Sequence, residues 1–263
     1  MFGTKLHLKK IATKSGLLTL LSLSIVTMVS FHCQAVHLST FRIYLDEDNR
    51  NNSFILFNRD AKAEECKLSL GHNNFDDNGA MVEYKGLTPP ENSAKNWVRF
   101  SPKRFTLTSA HSQTVRFTMR RKAKAQAAEY RSYLIIDCGI VQDEEQTKQV
   151  SIAPRLIHSV PIIVRVGKLD AEISFSDFDL TGDDLSFKLL RSGTRSIYGN
   201  IALFNKKTGE SVSSQSGLSI YPESSNTEFM LRTKGVPVEN LVIKFSENPD
   251  YGGDKAIEQP IVL

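Results

Sequence analysis

The chain has 263 residues, 40% of them hydrophobic, 24% charged and 9% aromatic, which is the composition of an ordinary globular protein of one large or two average domains. That excludes a collagen-like or disordered chain and a small scaffold held mainly by disulfides. The formal net charge of +4 is carried by the N-terminus: residues 1–35 hold Lys5, Lys9, Lys10 and Lys14 and no acid, so the remaining 228 residues are formally neutral and the electrostatic case for nucleic acid lapses.

The basic start is followed by an uncharged run from Ser15 to Ala35, rich in Leu, Ile, Val and Met and closing on "HCQA". This is the layout of a secretory signal peptide, expected to span residues 1–35 and to direct the chain out of the cytoplasm. An uncleaved membrane anchor is the rival reading, since a spanning helix needs roughly 20 apolar residues. Serines and threonines interrupt the run, and a cleavage-like end follows it directly. Cys33 as a lipid attachment point is disfavoured by the bulky His32 before it. No later segment reaches an uninterrupted apolar 18-mer, so no stable membrane insertion is expected after cleavage.

Past the leader, short alternating runs are separated by Gly, Pro, Asn and Asp. In order they are "LSTFRIYLD" from Leu38, "NSFILFN" from Asn52, "CKLSLG" from Cys66, "GAMVEYKG" from Gly79 and "WVRFSPKRFTL" from Trp97. "SQTVRFTMRR" from Ser112, "EYRSYLIIDC" from Glu129 and a long "VSIAPRLIHSVPIIVRVG" from Val150 complete a first series. Such spacing predicts an antiparallel β-sandwich. After a break at Gly167 to Asp170 a second series of seven short runs begins with "AEISFSDFDL" and ends with "QPIVL". The expected architecture is all-β, with an N-terminal domain over 36–167 and a C-terminal sandwich over 168–263.

Val150 to Gly167 is unusually long for a strand, with Leu156, His158, Val160, Ile162 and Val164 on one face of an extended chain. It reads as a long core strand, or as one whose free part offers pairing to another protein. The polar "QDEEQTKQ" before it is expected to be an exposed loop. Cys66 and Cys138, in an exported chain, read as one disulfide or as two buried thiols. They have no ligand-spaced partners, so no metal site and no cofactor is expected. His158 and Trp97 are expected in packing roles. GxSxG, HExxH, Walker and GxGxxG motifs are missing, so an enzyme is not expected, although a β-sandwich hydrolase with spatially paired carboxylates stays open.

Taken in order, "STFRIYLDED", "NSFILFNRD", "VRFSPKRFTLTSAHSQTVRF", "AEYRSYLII", "HSVPIIVRVG" and "DLSFKLLRSGTRSIYGNIALF" resemble the periplasmic pilus-assembly chaperones, the PapD-like family of the chaperone–usher pathway, in its non-classical branch. The resemblance covers the chain beyond residue 35. It implies two immunoglobulin-like β-sandwich domains in an L- or boomerang-like arrangement. It also implies a chaperone that lends a strand to an incomplete pilus subunit and delivers it to an outer-membrane usher. Ile152, Leu156 and Val160 would be the donor-strand side chains, with Pro154 shortening the strand that is lent. Arg42 matches the family's first-strand arginine, which anchors the subunit's C-terminal carboxylate. The classical lysine partner is replaced by Pro161, and Arg131 is the substitute that non-classical members carry, with Arg155 and Arg165 as weaker candidates. A secreted structural protein, either a pilus subunit or an adhesin, is the competing reading.

Overall fold

The computed structural model describes residues 36–76, 79–120, 125–141 and 157–263. Alternation of apolar and polar residues builds the first half. β3 (Asn51–Phe57) buries Phe54 and Leu56 with Ile55 exposed between them, and β9 (Ser112–Met119) buries Val115, Phe117 and Met119 with Arg116 and Thr118 between. With β1 (His37–Leu38) and β7 (Val98–Ser101) they form one sheet in the order β1-β3-β9-β7. The facing sheet has the order β2-β11-β10-β4-β8, from β2 (Ile43–Leu45), β4 (Glu64–Gly71), β8 (Arg104–Leu107), β10 (Ala128–Ile140) and β11 (Ile157–Val166). One continuous core lies between the two sheets, running from Val36 to Val166.

Two runs that read as single strands are each divided between the sheets. "LSTFRIYLD" becomes β1 and β2, separated by the bend at Ser39 to Phe41, and "WVRFSPKRFTL" becomes β7 and β8, separated by Pro102, whose peptide bond with Ser101 is cis. β2 pairs with β11 in parallel, Ile43 opposite Ile162 and Leu45 opposite Val164, a departure from the expected antiparallel scheme. Between β4 and β7 the chain makes a small hairpin, β5 (Asn73–Phe75) with β6 (Met81–Glu83).

Residues from Ala171 onward form a second sandwich with its own core. β12 (Ala171–Thr181), β13 (Asp184–Gly193) and β16 (Asn226–Arg232) make one sheet. β15 (Ser211–Ile220), β14 (Ile197–Asn205), β17 (Leu241–Glu247) and β18 (Ala256–Pro260) make the other. Phe175, Phe187, Leu203 and Phe245 fill the space between them. Helix among the described residues is limited to three-residue 3-10 turns, and no helix is long and apolar enough to cross a membrane.

Cys66 and Cys138 lie directly opposite one another on β4 and β10 and are disulfide-bonded, so the bridge joins neighbouring strands of one sheet. The sulfurs lie near the Glu64 carboxylate, but a disulfide leaves neither of them as a thiolate ligand.

Candidate functional site

Alternation fails in β10 and β11, and both failures lead to the same region. In β11, Ile162 to Val166 are all buried, and in β10, Arg131 to Leu134 are all buried. A strand buried on both faces has a second layer over it. Here that layer belongs to the second sandwich: Tyr221 packs with Ile163 and Tyr44, joined by Phe75 and Tyr251.

Arg42 and Arg131 both meet this aromatic layer. Each is only 3% exposed. The Arg42 guanidinium carbon stands 4.4 Å from the centroid of the Tyr198 ring and 5.9 Å from that of Tyr221, and that of Arg131 stands 4.1 Å from Tyr221 and 4.8 Å from Phe75. Aromatic faces supply part of the stabilisation that burial removes from a cation.

The two arginines differ in their acids. Arg131 donates from Nη1 to Glu223 Oε2 at 3.0 Å and from Nη2 to Glu223 Oε1 at 2.7 Å, a two-pronged pair, and Nη2 also reaches the Asn73 carbonyl at 3.2 Å. Asn92 Nδ2 adds a third bond to Glu223 Oε1 at 2.9 Å. Desolvation pushes the Glu223 carboxyl up, but the hydrogen bonds and charge of Arg131 outweigh it and leave it below its ordinary value. Arg42 has no carboxylate within 4 Å among the described residues. Its Nη1 donates to Ser219 Oγ at 3.1 Å, and its Nε has no hydrogen-bond partner. Thr40 sets the approach of this segment, its hydroxyl donating to the Arg42 carbonyl at 3.0 Å and lying 3.0 Å from the Tyr251 hydroxyl.

Arg42 immediately precedes β2, and β2 covers β11 only over Ile162 to Val164. The outer edge of β11 from Ile157 to Pro161 therefore has no strand neighbour among the described residues. Its inner edge is fully paired with β10, from Ile157 opposite Asp137 to Val166 opposite Ala128. Arg42 thus stands where an open sheet edge begins.

Other expected residues fall elsewhere. Val160 is 1% exposed and belongs to the protein's own core, so its side chain is not available to fill a partner's pocket, contrary to its reading as a donor residue. Ile152, Leu156, Pro154 and Arg155 lie outside the described residues, as do the leader 1–35 and the polar stretch from Gln142 to Gln149. Arg165 is fully engaged: Nε pairs with Glu129 at 2.9 Å, Nη1 donates to the Gly252 carbonyl at 2.6 Å and Nη2 to the Ser196 carbonyl at 2.9 Å. It is a strut between the sandwiches, with each of its three nitrogens already bonded to a protein oxygen. His158 is half-buried with an unpartnered Nε2, and burial pushes its pKa down. Trp97 is buried, its ring centroid 4.6 Å from that of Tyr130.

Glu223, Asn92, Tyr198 and Tyr221 carry no sequence signal of this role. "YPESSN" reads as a turn, and Glu223 reaches Arg131 only because the second sandwich folds back onto β10.

No protein-family model matches the sequence, and no curated protein does. Among solved structures the chain is similar to one in the chaperone–tip adhesion subunit pre-assembly complex CsuC–CsuE of archaic Csu pili from Acinetobacter baumannii, with 12% identity, 85% of this chain and 97% of that one covered, and a TM-score of 0.47. It is also similar to the Pseudomonas aeruginosa CupB2 chaperone, with 13% identity, 86% and 100% covered, and a TM-score of 0.45. The E. coli chaperone DraB gives 14% identity, 87% and 98% covered, and a TM-score of 0.45.

Proposed function

We propose that this protein is a non-enzymatic periplasmic chaperone of the PapD-like kind. In this reading residues 1–35 are an export signal, residues 36–167 the subunit-binding domain and residues 168–263 the second domain. The protein holds a pilus subunit by strand complementation and passes it to an outer-membrane usher. The observation that carries the reading is the position of Arg42: a buried guanidinium that meets no acid among the described residues, beside the edge of β11 that has no strand neighbour among them. A subunit chain pairing along that edge gains backbone hydrogen bonds, and its terminal carboxylate supplies Arg42 with a counter-charge. The order of sequence motifs over the whole chain beyond residue 35 points the same way.

The test is co-purification from the periplasm with a fimbrial subunit, comparing wild type with Arg42→Ala. Loss of a 1:1 complex, with an unchanged far-ultraviolet circular dichroism spectrum, is expected. Undiminished capture by Arg42→Ala would sink the carboxylate anchor, and failure of the wild type to capture any fimbrial subunit would sink the chaperone.

A further inference from the structure

The Glu223 carboxylate sits in what is, chemically, a finished carboxylate receptor. Two guanidinium N–H groups of Arg131 and the Asn92 amide converge on it at 2.7, 3.0 and 2.9 Å, and the Tyr221 and Phe75 rings, themselves in contact, both lie against the guanidinium. The donors and the acceptor are mounted differently. Arg131 is 3% exposed and stands on β10, which is paired on both sides. Glu223 stands in the turn connecting β15 to β16, and its side chain is 25% exposed, so the acid lies at the mouth and the base at the floor. Arg42, which meets no acid among the described residues, also lies near Tyr221, 5.9 Å from its ring centroid.

We propose that Glu223 is a resident occupant of this receptor, and that a partner's chain-terminal carboxylate takes its place on Arg131 and Asn92 when the Glu223 side chain swings out through the mouth. The proposal rests on the strand-complementation reading and gives it a regulatory element. With Glu223 seated, Arg131 is neutralised, and of the two arginines Arg42 is the one without an acid among the described residues. With Glu223 withdrawn, both guanidinium groups beside Tyr221 lack an acid and an incoming carboxylate finds three donors already aligned, so little ordering opposes its entry. Seated Glu223 competes with every such ligand, and its removal should strengthen binding. A purely structural ion pair behaves in the opposite way: breaking it loosens the interface and gains no ligand.

The experiment is calorimetric titration of the full mature chain with an acetylated pentapeptide ending in a free carboxylate, with the same peptide as its C-terminal amide, and with acetate. Glu223→Gln should bind the acid-terminated peptide at least tenfold more tightly than wild type. The amide should show no gain, and adding Arg131→Gln should abolish it. Acetate gaining equally would mean that the receptor reads any carboxylate; a gain confined to the peptide would mean that it reads a chain end. Equal affinity in wild type and Glu223→Gln, or a gain that survives loss of Arg131, overturns the proposal. If Glu223→Gln does not fold, Glu223→Asp keeps the charge and retracts it by one methylene; the gain is then expected there, and its absence is equally decisive. Capture of a fimbrial subunit is scored in parallel. Peptide binding gained without capture sinks the chaperone reading alone, and capture without a gain from Glu223 variants sinks the gate alone.

Discussion

Two arginines of equal burial should respond very differently to truncation. Arg131→Ala leaves the Glu223 carboxylate without its two-pronged partner at an interface where Asn92 is the remaining side-chain donor. Removing one member of a buried pair is strongly destabilising, and a quarter-exposed acid recovers some hydration, so a loss of about 2 kcal/mol is expected in urea unfolding. Arg42→Ala removes a buried cation that no acid accompanies. The lost ring contacts and the single bond to Ser219 are offset by relief of desolvation, so stability should stay within about 1 kcal/mol of wild type. The pair of variants thereby separates anchoring from folding: a large unfolding shift in Arg42→Ala would mean that its positive charge is structural. Arg42 and Arg131 were legible as candidates through sequence resemblance. Their difference was not, because it depends on Glu223, 92 residues from Arg131 along the chain.

At the level of strands, the alternating runs carried most of the fold, and the exceptions have physical causes. "LSTFRIYLD" could not be divided by pattern alone, since both halves alternate and only pairing partners decide that His37 and Leu38 join β3 and Ile43 to Leu45 join β11. "YLII" and "VPIIV" did hold a signal: unbroken apolar stretches mark strands covered on both faces. Tyr133 and Ile163 sit on the second of those faces, against the other sandwich, whereas Val160 lies on the first, in the core. The off-parity residues were therefore the ones to follow to the site. The disulfide belongs to this scale as well. Cys66 and Cys138 cross-link β4 to β10, buried at 0% and 7% exposure. Replacing both by alanine should cost about 2–4 kcal/mol, for a bridge spanning 72 positions, and should lower the urea midpoint while steepening the denaturant slope, because the unfolded chain freed of its bridge is less compact. No shift in midpoint would mean that ladder pairing alone sets the stability of this sheet.

The two sandwiches are held together by groups that titrate, so acid should act on the molecule as a whole. His72 donates from Nδ1 to the Arg131 carbonyl, 3.1 Å away. Its pKa lies below the ordinary 6.5 because burial and then the Arg131 charge disfavour a second cation, although the Arg131 carbonyl, Glu223 and Asn74 pull the other way. His158, lowered by burial, acts in the same sense. A base whose pKa is depressed on folding binds fewer protons in the native state than in the unfolded one, so its share of stability is complete above 6.5 and is lost as pH falls below it. Glu223, also depressed, keeps its share above the ordinary carboxyl value and loses it further down the scale, as do Asp170 and Asp183. Glu64 opposes them: burial first, and then Asp60, raise its pKa, so its folded form binds protons more readily. The balance predicts a two-stage decline, the urea midpoint falling first between about pH 6.5 and 5 from the histidines and again below about pH 4.5 from the acids. His72→Gln should flatten part of the first stage, and adding His158→Gln the rest. A midpoint constant from pH 7 to 5 in the wild type would show that neither imidazole is held neutral by the fold. A first stage untouched by His72→Gln would place the titrating group away from the Arg131–Glu223 junction.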